Sequence, residues 1–151
     1  MTKPPRIFHM LQQANSGLFR AVDGLLKTQE GIVTAHQVIL FVLTQEDGLQ
    51  CADVAKRAGM SRSRLTGLLD TLATKGLVRR EQGVEDGRVQ RVFITPDGAD
   101  IIIRTAALTR DLNADLLDPF DAQERETITA FLYHVSNTAK SISGRSKKDH
   151  I

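Results

Sequence analysis

The chain holds one cysteine, Cys51, no tryptophan and one tyrosine in 151 residues. A single cysteine excludes an internal disulfide framework and fits a reducing compartment. Long apolar runs are missing too. Blocks such as Val38 to Leu43 fall far short of the roughly 20 residues a membrane helix needs, so no membrane role is expected. At the start, Lys3, Pro4, Pro5 and Arg6 lead into a mixed segment rather than the apolar block of a secretory signal, and a cytoplasmic protein is expected. His9, His36, His134 and His150 show no His-Glu-x-x-His spacing, and neither a Gly-rich phosphate loop nor a Gly-x-Ser-x-Gly elbow occurs. The reading is therefore no catalytic residue, no metal, no cofactor and no enzyme.

What is present is an ordinary globular composition, 41% hydrophobic and 25% charged, with a net charge of +2. That small net charge conceals a division along the chain. Residues 1–47 balance four basic against four acidic side chains, and residues 96–151 carry seven against nine. Residues 48–95 carry nine basic against five acidic, and seven of the nine are arginines, suited to bidentate phosphate contacts. Charge alone fits a solvated face equally well, so order and spacing have to decide.

Apolar residues at three- and four-residue steps, Ile7, Leu11, Ala14, Leu18, Ala21, Val22 and Leu25, predict an amphipathic helix over about 6–28. Thr34 with Gln37 reads as a capping box opening a second helix, about 34–46, apolar nearly all round from Val38 to Leu43 and so the centre of a core. A short extended piece at Leu49 and Gln50 leads into a third helix that Gly59 closes and that lacks a strong N-cap. Ser61 is placed to cap a fourth helix, with Leu65, Leu68, Leu69 and Leu72 inward and Arg62, Ser63, Arg64, Thr66, Gly67 and Thr71 outward. Two strands follow, Leu77 to Gln82 and Val89 to Thr95, around a charged loop that includes Asp86 and Arg88. Asp97 and Gly98 start a long helix that breaks at Pro119. Asp121 with Glu124 is a second capping box before a final helix carrying Ile128, Phe131, Leu132, Val135, Ala139 and Ile142.

Two helices joined by a Gly-containing turn, the second with a polar outer face, are the parts of a helix-turn-helix, and the strand pair with a charged tip is a wing. Gly31 to Gly98 resembles the winged helix-turn-helix of the MarR family of bacterial transcriptional regulators. The resemblance rests on Gly31-Ile32-Val33-Thr34 with Gln37, Ser61-Arg62-Ser63-Arg64-Leu65-Thr66, Asp70 with Leu72, Lys75-Gly76-Leu77-Val78, and the wing Asp86-Gly87-Arg88 running into Val92-Phe93-Ile94-Thr95 and Gly98. The implied fold is mainly α with a small β-wing (α+β). Residues 31–98 form the DNA-binding lobe, and 1–30 with 99–151 supply N- and C-terminal dimerisation helices in one chain unit.

By their chemistry, Arg62 and Arg64 can reach phosphates or guanine edges, and Ser63 and Thr66 can meet bases or thymine methyls. With Ser61, Gly67, Arg88 and Arg91 they form the candidate DNA-binding set. Arg88 suits a narrow minor groove. Asp86 is expected to orient Arg88 or Arg91 through a charge-assisted hydrogen bond. Gly67 interrupts the recognition helix and implies close backbone approach to DNA or to a neighbouring helix. Limited readout by one lobe calls for a homodimer on a pseudopalindromic operator, although the terminal stripes could instead close the chain's own core.

The resemblance further implies a repressor released by a small aromatic or phenolic ligand. Its candidate lining is His9, Asn15, Phe19, Arg20, His36 and Phe41, each of which also has an ordinary reading as a cap, surface or core residue. Two alternatives stand beside this. One is an oxidant-responsive regulator working through Cys51, whose place at a helix start would lower its pKa. The other is a winged-helix protein-interaction module that binds no DNA.

Overall fold

The computed structural model describes residues 3–84, 87 and 89–145, with side chains through Ile142. In chain order the elements are α1 (Ile7–Glu30), α2 (Thr34–Gln45), β1 (Leu49–Gln50), α3 (Cys51–Ala58), α4 (Arg62–Thr74), β2 (Val78–Gln82), β3 (Gln90–Ile94), α5 (Pro96–Leu117) and α6 (Ala122–Arg145). The fold is mainly α with a small antiparallel sheet. Two compact units divide inside α5, Met1–Thr105 and Ala106–Ile151.

The first unit is organised by α2, which buries Ile39, Leu40, Val42 and Leu43, as its nearly continuous apolar run requires. Around it stand Leu26 of α1, Val54 of α3, Leu65, Leu69 and Leu72 of α4, and Val92 of β3, each at most 1% exposed. Burying a side chain of this size contributes about 1.5–3 kcal/mol. Phe41 departs from the pattern, standing 53% exposed on the outer side of the same helix. The end of α1 is tied to α5 by Glu30, which accepts from Arg104 Nε at 3.0 and 3.3 Å and from Arg104 Nη2 at 2.8 Å, and these bonds hold the Glu30 carboxyl below the usual carboxylate range.

The start of α2 differs from the expected capping box. Thr34 is the first helical residue rather than the cap, and its amide and hydroxyl both donate to Asp23 of α1, at 2.7 and 2.6 Å. The cap position falls on Val33, whose N–H donates to His36 Nδ1 at 3.2 Å. A carboxylate supplied from another helix does here what a local Thr/Gln pair does elsewhere, and periodicity cannot reveal such a long-range partner. The second box is as expected: at the start of α6 the Asp121 and Glu124 carboxylates each accept the other residue's backbone N–H at 2.9 Å.

The expected strand pair is a three-stranded sheet in the order β1-β3-β2, because Leu49 and Gln50 pair with Val92 and Arg91. Between β2 and β3 the register runs from Val78 opposite Ile94 to Gln82 opposite Gln90. Partners across an antiparallel ladder share a face, so Val78, Arg80, Gln82, Gln90 and Val92 lie on one side and Arg79, Glu81, Arg91 and Phe93 on the other. Gly48 turns the chain into β1 at φ +68, and a Cβ there would stand 2.8 Å from the Phe93 ring.

Helix α5 starts earlier than expected, at Pro96, with Thr95 as its cap. The Thr95 hydroxyl accepts from Gly98 N–H at 3.1 Å and donates to the Gly76 carbonyl at 2.7 Å, joining the end of α4 to the start of α5. Gly98 is closely packed: a Cβ there would lie 2.2 Å from the Leu77 carbonyl oxygen. The wing root therefore passes against α5 backbone to backbone.

In the second unit, α6 is a 24-residue helix with no buried residue among its described side chains. Ile128 and Val135 are half-buried, while Leu132 and Ile142 are 52% and 60% exposed. Among the described residues, no helix is long and apolar enough to cross a membrane.

Candidate nucleic-acid interface

Helix α3 ends at Gly59, and Met60 N–H returns to the Ala55 carbonyl at 3.0 Å, closing the turn that leads to α4. Ser61 caps α4 as expected, its hydroxyl oxygen accepting the Arg64 N–H at 3.3 Å. With Leu65, Leu69 and Leu72 locked in the core, helical geometry turns the opposite face outward, and Arg62, Ser63, Arg64, Thr66 and Gly67 are all exposed. Thr66 donates its hydroxyl to the Arg62 carbonyl at 3.0 Å, which leaves its lone pairs as acceptors.

Gly67 is not where two helices meet. A Cβ built there finds nothing within 4 Å among the described residues, so packing against a neighbouring helix does not account for the glycine. In the protein alone it is a helix-interior glycine that costs about 1 kcal/mol relative to alanine, with no packing gain to offset it.

Charge on this face is arranged rather than merely accumulated. Asp70, on the same helix, would repel a phosphate, but Arg80 of β2 reaches it at 2.7 Å. This ion pair joins α4 to the wing. Nothing in the sequence singled it out, although strand alternation from the buried Val78 already places Arg80 on the helix-facing side of the sheet. On the opposite face Arg79 lies 4.6 Å over the Phe93 ring and pairs with Glu81. Arg91 belongs to that outer face as well. Its guanidinium donates to the Gly48 carbonyl at 2.8 Å, so the structure does not bring it together with Arg62 and Arg64. At the base of the wing loop Gly83 N–H donates to the Val89 carbonyl at 2.6 Å. Asp86 and Arg88 lie outside the described residues.

Between α4 and the inner face of the wing is a cleft of about 370 Å³, lined among others by Gln50, Cys51, Arg62, Thr66, Gln82 and Gln90. Arg62 and Thr66 belong to the DNA-contact set expected from the sequence, whereas the glutamines carry no charge to draw the eye. Cys51 Sγ donates to Gln90 Oε1 at 3.6 Å. Burial pushes the Cys51 thiol above its ordinary value, outweighing the pull of Arg62 and Arg80 in the other direction. A helix start alone would favour the thiolate; here desolvation wins, which argues against an activated oxidant sensor.

The six ligand candidates are not alike in the structure. His9, Asn15, Phe19 and Arg20 are exposed on α1, and Phe41 is exposed on α2. His36 is only 8% exposed, and its Nδ1 is spent on the Val33 N–H. Its Nε2 is buried with no hydrogen-bond partner among the described residues. Burial holds its pKa below the usual histidine value, aided by Lys75 and opposed by Asp23. Among the described residues no group of three or more histidine, cysteine or carboxylate side chains could hold a metal ion.

Comparison with known proteins agrees with this geometry. Residues 32–89 match the model of the MarR family. A MarR-family transcriptional regulator from Silicibacter pomeroyi is 30% identical, with 83% of this chain and 84% of that one covered and a TM-score of 0.67. PcaV, a transcriptional regulator from Streptomyces coelicolor solved in complex with its natural ligand, is 25% identical, with 91% and 94% covered and a TM-score of 0.76. The transcriptional regulator HosA of Escherichia coli O157:H7 is 23% identical over 139 residues, 91% of this chain and the whole of that protein. With the helix-turn-helix, the three-stranded wing and a 30% identical relative matched over most of its length, the chain belongs to the MarR family of winged-helix transcriptional regulators.

Proposed function

We propose that this chain is a DNA-binding repressor that acts as a homodimer on a pseudopalindromic operator and is released by a small aromatic or phenolic ligand. The observation that carries the DNA reading is the outward face of α4. Arg62, Ser63, Arg64, Thr66 and Gly67 are exposed together, on a helix whose start is capped by Ser61 and whose one acid is neutralised from the wing. In this reading α4 enters the major groove, Arg88 meets the minor groove, Asp86 orients Arg88 or Arg91, and Arg91 adds positive charge from the outer face of the sheet.

Residues 1–30 and 99–151 are assigned to dimerisation. Support comes from apolar side chains that the chain leaves uncovered: Phe8 at 84% and Met10 at 55% on α1, Leu132 at 52% and Ile142 at 60% on α6. A two-fold dimer places half-site centres about one helical turn, roughly 10 base pairs, apart. The ligand reading draws on PcaV, solved with its natural ligand, and on the exposed Phe19 and Phe41 together with His9, Asn15, Arg20 and His36.

The deciding experiment is duplex binding across a salt series. A DNA reader neutralising several phosphates loses affinity steeply as salt rises, with a log-log slope near −0.9 per contact. Two chains per selected duplex and a steep slope are expected, and Arg62→Ala should weaken binding by roughly 10-fold to 100-fold. No binding, or a flat slope, would hand the chain to the protein-interaction reading. An aromatic-acid panel that neither produces heat in calorimetry nor lowers operator affinity would remove the ligand reading for that class.

A further inference from the structure

The cleft between α4 and the wing has a composition that the proposed function leaves unused. One wall is Arg62 and Thr66 of α4; the other is Gln82 of β2 and Gln90 of β3, which pair with each other at the end of the ladder and share the inner face of the sheet. The floor is Gln50 and Cys51, at the junction of β1 and α3. No carboxylate lines it, among the described residues, although the chain as a whole carries 18 acids. Its donors are a guanidinium and the amide N–H groups of three carboxamides, a set that suits an anion with several oxygens. Its volume of about 370 Å³ holds a tetrahedral anion and the atoms attached to it.

Position narrows the anion further. A protein that sends a helix into the major groove and a wing into the neighbouring minor groove must straddle the sugar-phosphate ridge between them. That ridge has to lie in whatever space separates the helix from the wing, and here the space is this cleft. We propose that the cleft seats one phosphodiester of the DNA backbone, held by Arg62 and by the carboxamides of Gln82 and Gln90, and that the seated strand covers the Cys51 thiol. The assignment rests on the DNA reading and deepens it. Gln82 and Gln90, uncharged and on the inner side of the wing, become contacts that set the register of the protein on the duplex. The Cys51 hydrogen bond to Gln90 Oε1 leaves the Gln90 amide N–H groups for the phosphate.

Because Cys51 is the chain's sole cysteine, it reports on the cleft directly. The unaltered protein is treated with a neutral thiol alkylator, free and saturated with duplex at low salt, with saturation followed by anisotropy. Alkylation at least about ten times slower in the complex is the expected result. Saturated binding with an unchanged alkylation rate overturns the phosphate seat and leaves the DNA reading standing; absence of any duplex binding removes both. Protection by millimolar inorganic phosphate but not by duplex also overturns the assignment, since the cleft would then be an anion site off the DNA path. In a second arm, Gln90→Glu puts a carboxylate into the seat and is expected to weaken duplex binding on the order of 10-fold or more, while Gln90→Ala weakens it only a few-fold. A folded Gln90→Glu variant that binds duplex like the parent overturns the proposal.

Discussion

Helix α2, apolar nearly all round, and helix α6, with a three-four apolar stripe, end in opposite situations. In α2, five of 12 residues are buried and the helix is the hub of a core drawn from α1, α3, α4 and the sheet. In α6, twice as long, no described residue is buried. Periodicity marks a surface that avoids water without naming what covers it. For α2 the cover is the chain's own winged lobe; for α6 the proposed cover is a second copy of the chain.

Charging α6 tests that contrast with the largest expected effect. Phe131→Asp with Leu132→Asp should convert a dimer to a monomer in analytical ultracentrifugation and lower operator affinity on the order of 100-fold or more, because avidity between half-sites is lost. Thermal stability of the winged lobe should hardly move. A variant that stays dimeric would place the dimer surface elsewhere and break the comparison.

Inside the self-sufficient region the largest effect belongs to Gly98. Adding a methyl group 2.2 Å from the Leu77 carbonyl forces backbone apart at the wing root, and Gly98→Ala should destabilise by about 3 kcal/mol, read in a denaturant titration. An unchanged midpoint would mean that the contact between wing root and α5 is slack.

Gly67→Ala separates the two regions' demands on one helix. With nothing within 4 Å of its Cβ, alanine should raise stability by up to about 1 kcal/mol through helix propensity. Operator affinity should fall if DNA approaches the backbone at that point. A gain in stability with undiminished binding would remove Gly67 from the interface.

The smallest effect concerns acid. His36 is neutral in the folded protein because burial lowers its pKa, and protonating Nδ1 would take away the acceptor for Val33 N–H. The unfolded chain binds the proton near the ordinary histidine value, so the stability this group contributes is present above that value and lost as pH falls toward the depressed folded one. His36→Gln should flatten the dependence of stability between about pH 7 and pH 5. An equally steep profile in the variant would assign the acid sensitivity to other groups.

Much of the interface is legible in the sequence. Ser61 as a cap, the Leu65, Leu69 and Leu72 stripe, and the exposed face from Arg62 to Gly67 all follow from helical spacing and local capping chemistry. What escapes involves partners distant along the chain. Asp23 capping α2 across 11 residues, Arg80 meeting Asp70 from the wing, Arg91 turning to the Gly48 carbonyl, and the pairing of β1 with β3 are each a contact between segments whose separation carries no periodic signal.

The order of elements, the polar outer face of α4 and the concentration of arginine between residues 48 and 95 can be read from the chain alone, because they depend on spacing within about one element. Contacts between elements set which of those arginines are spent on Asp70, on Glu81 or on a carbonyl, and which have no such partner among the described residues. Burial raises the Cys51 thiol against the pull of Arg62 and Arg80, and among the described residues no acid lines the cleft between helix and wing. Charge, burial and shape at a site are sums over neighbours, and the fold chooses the neighbours.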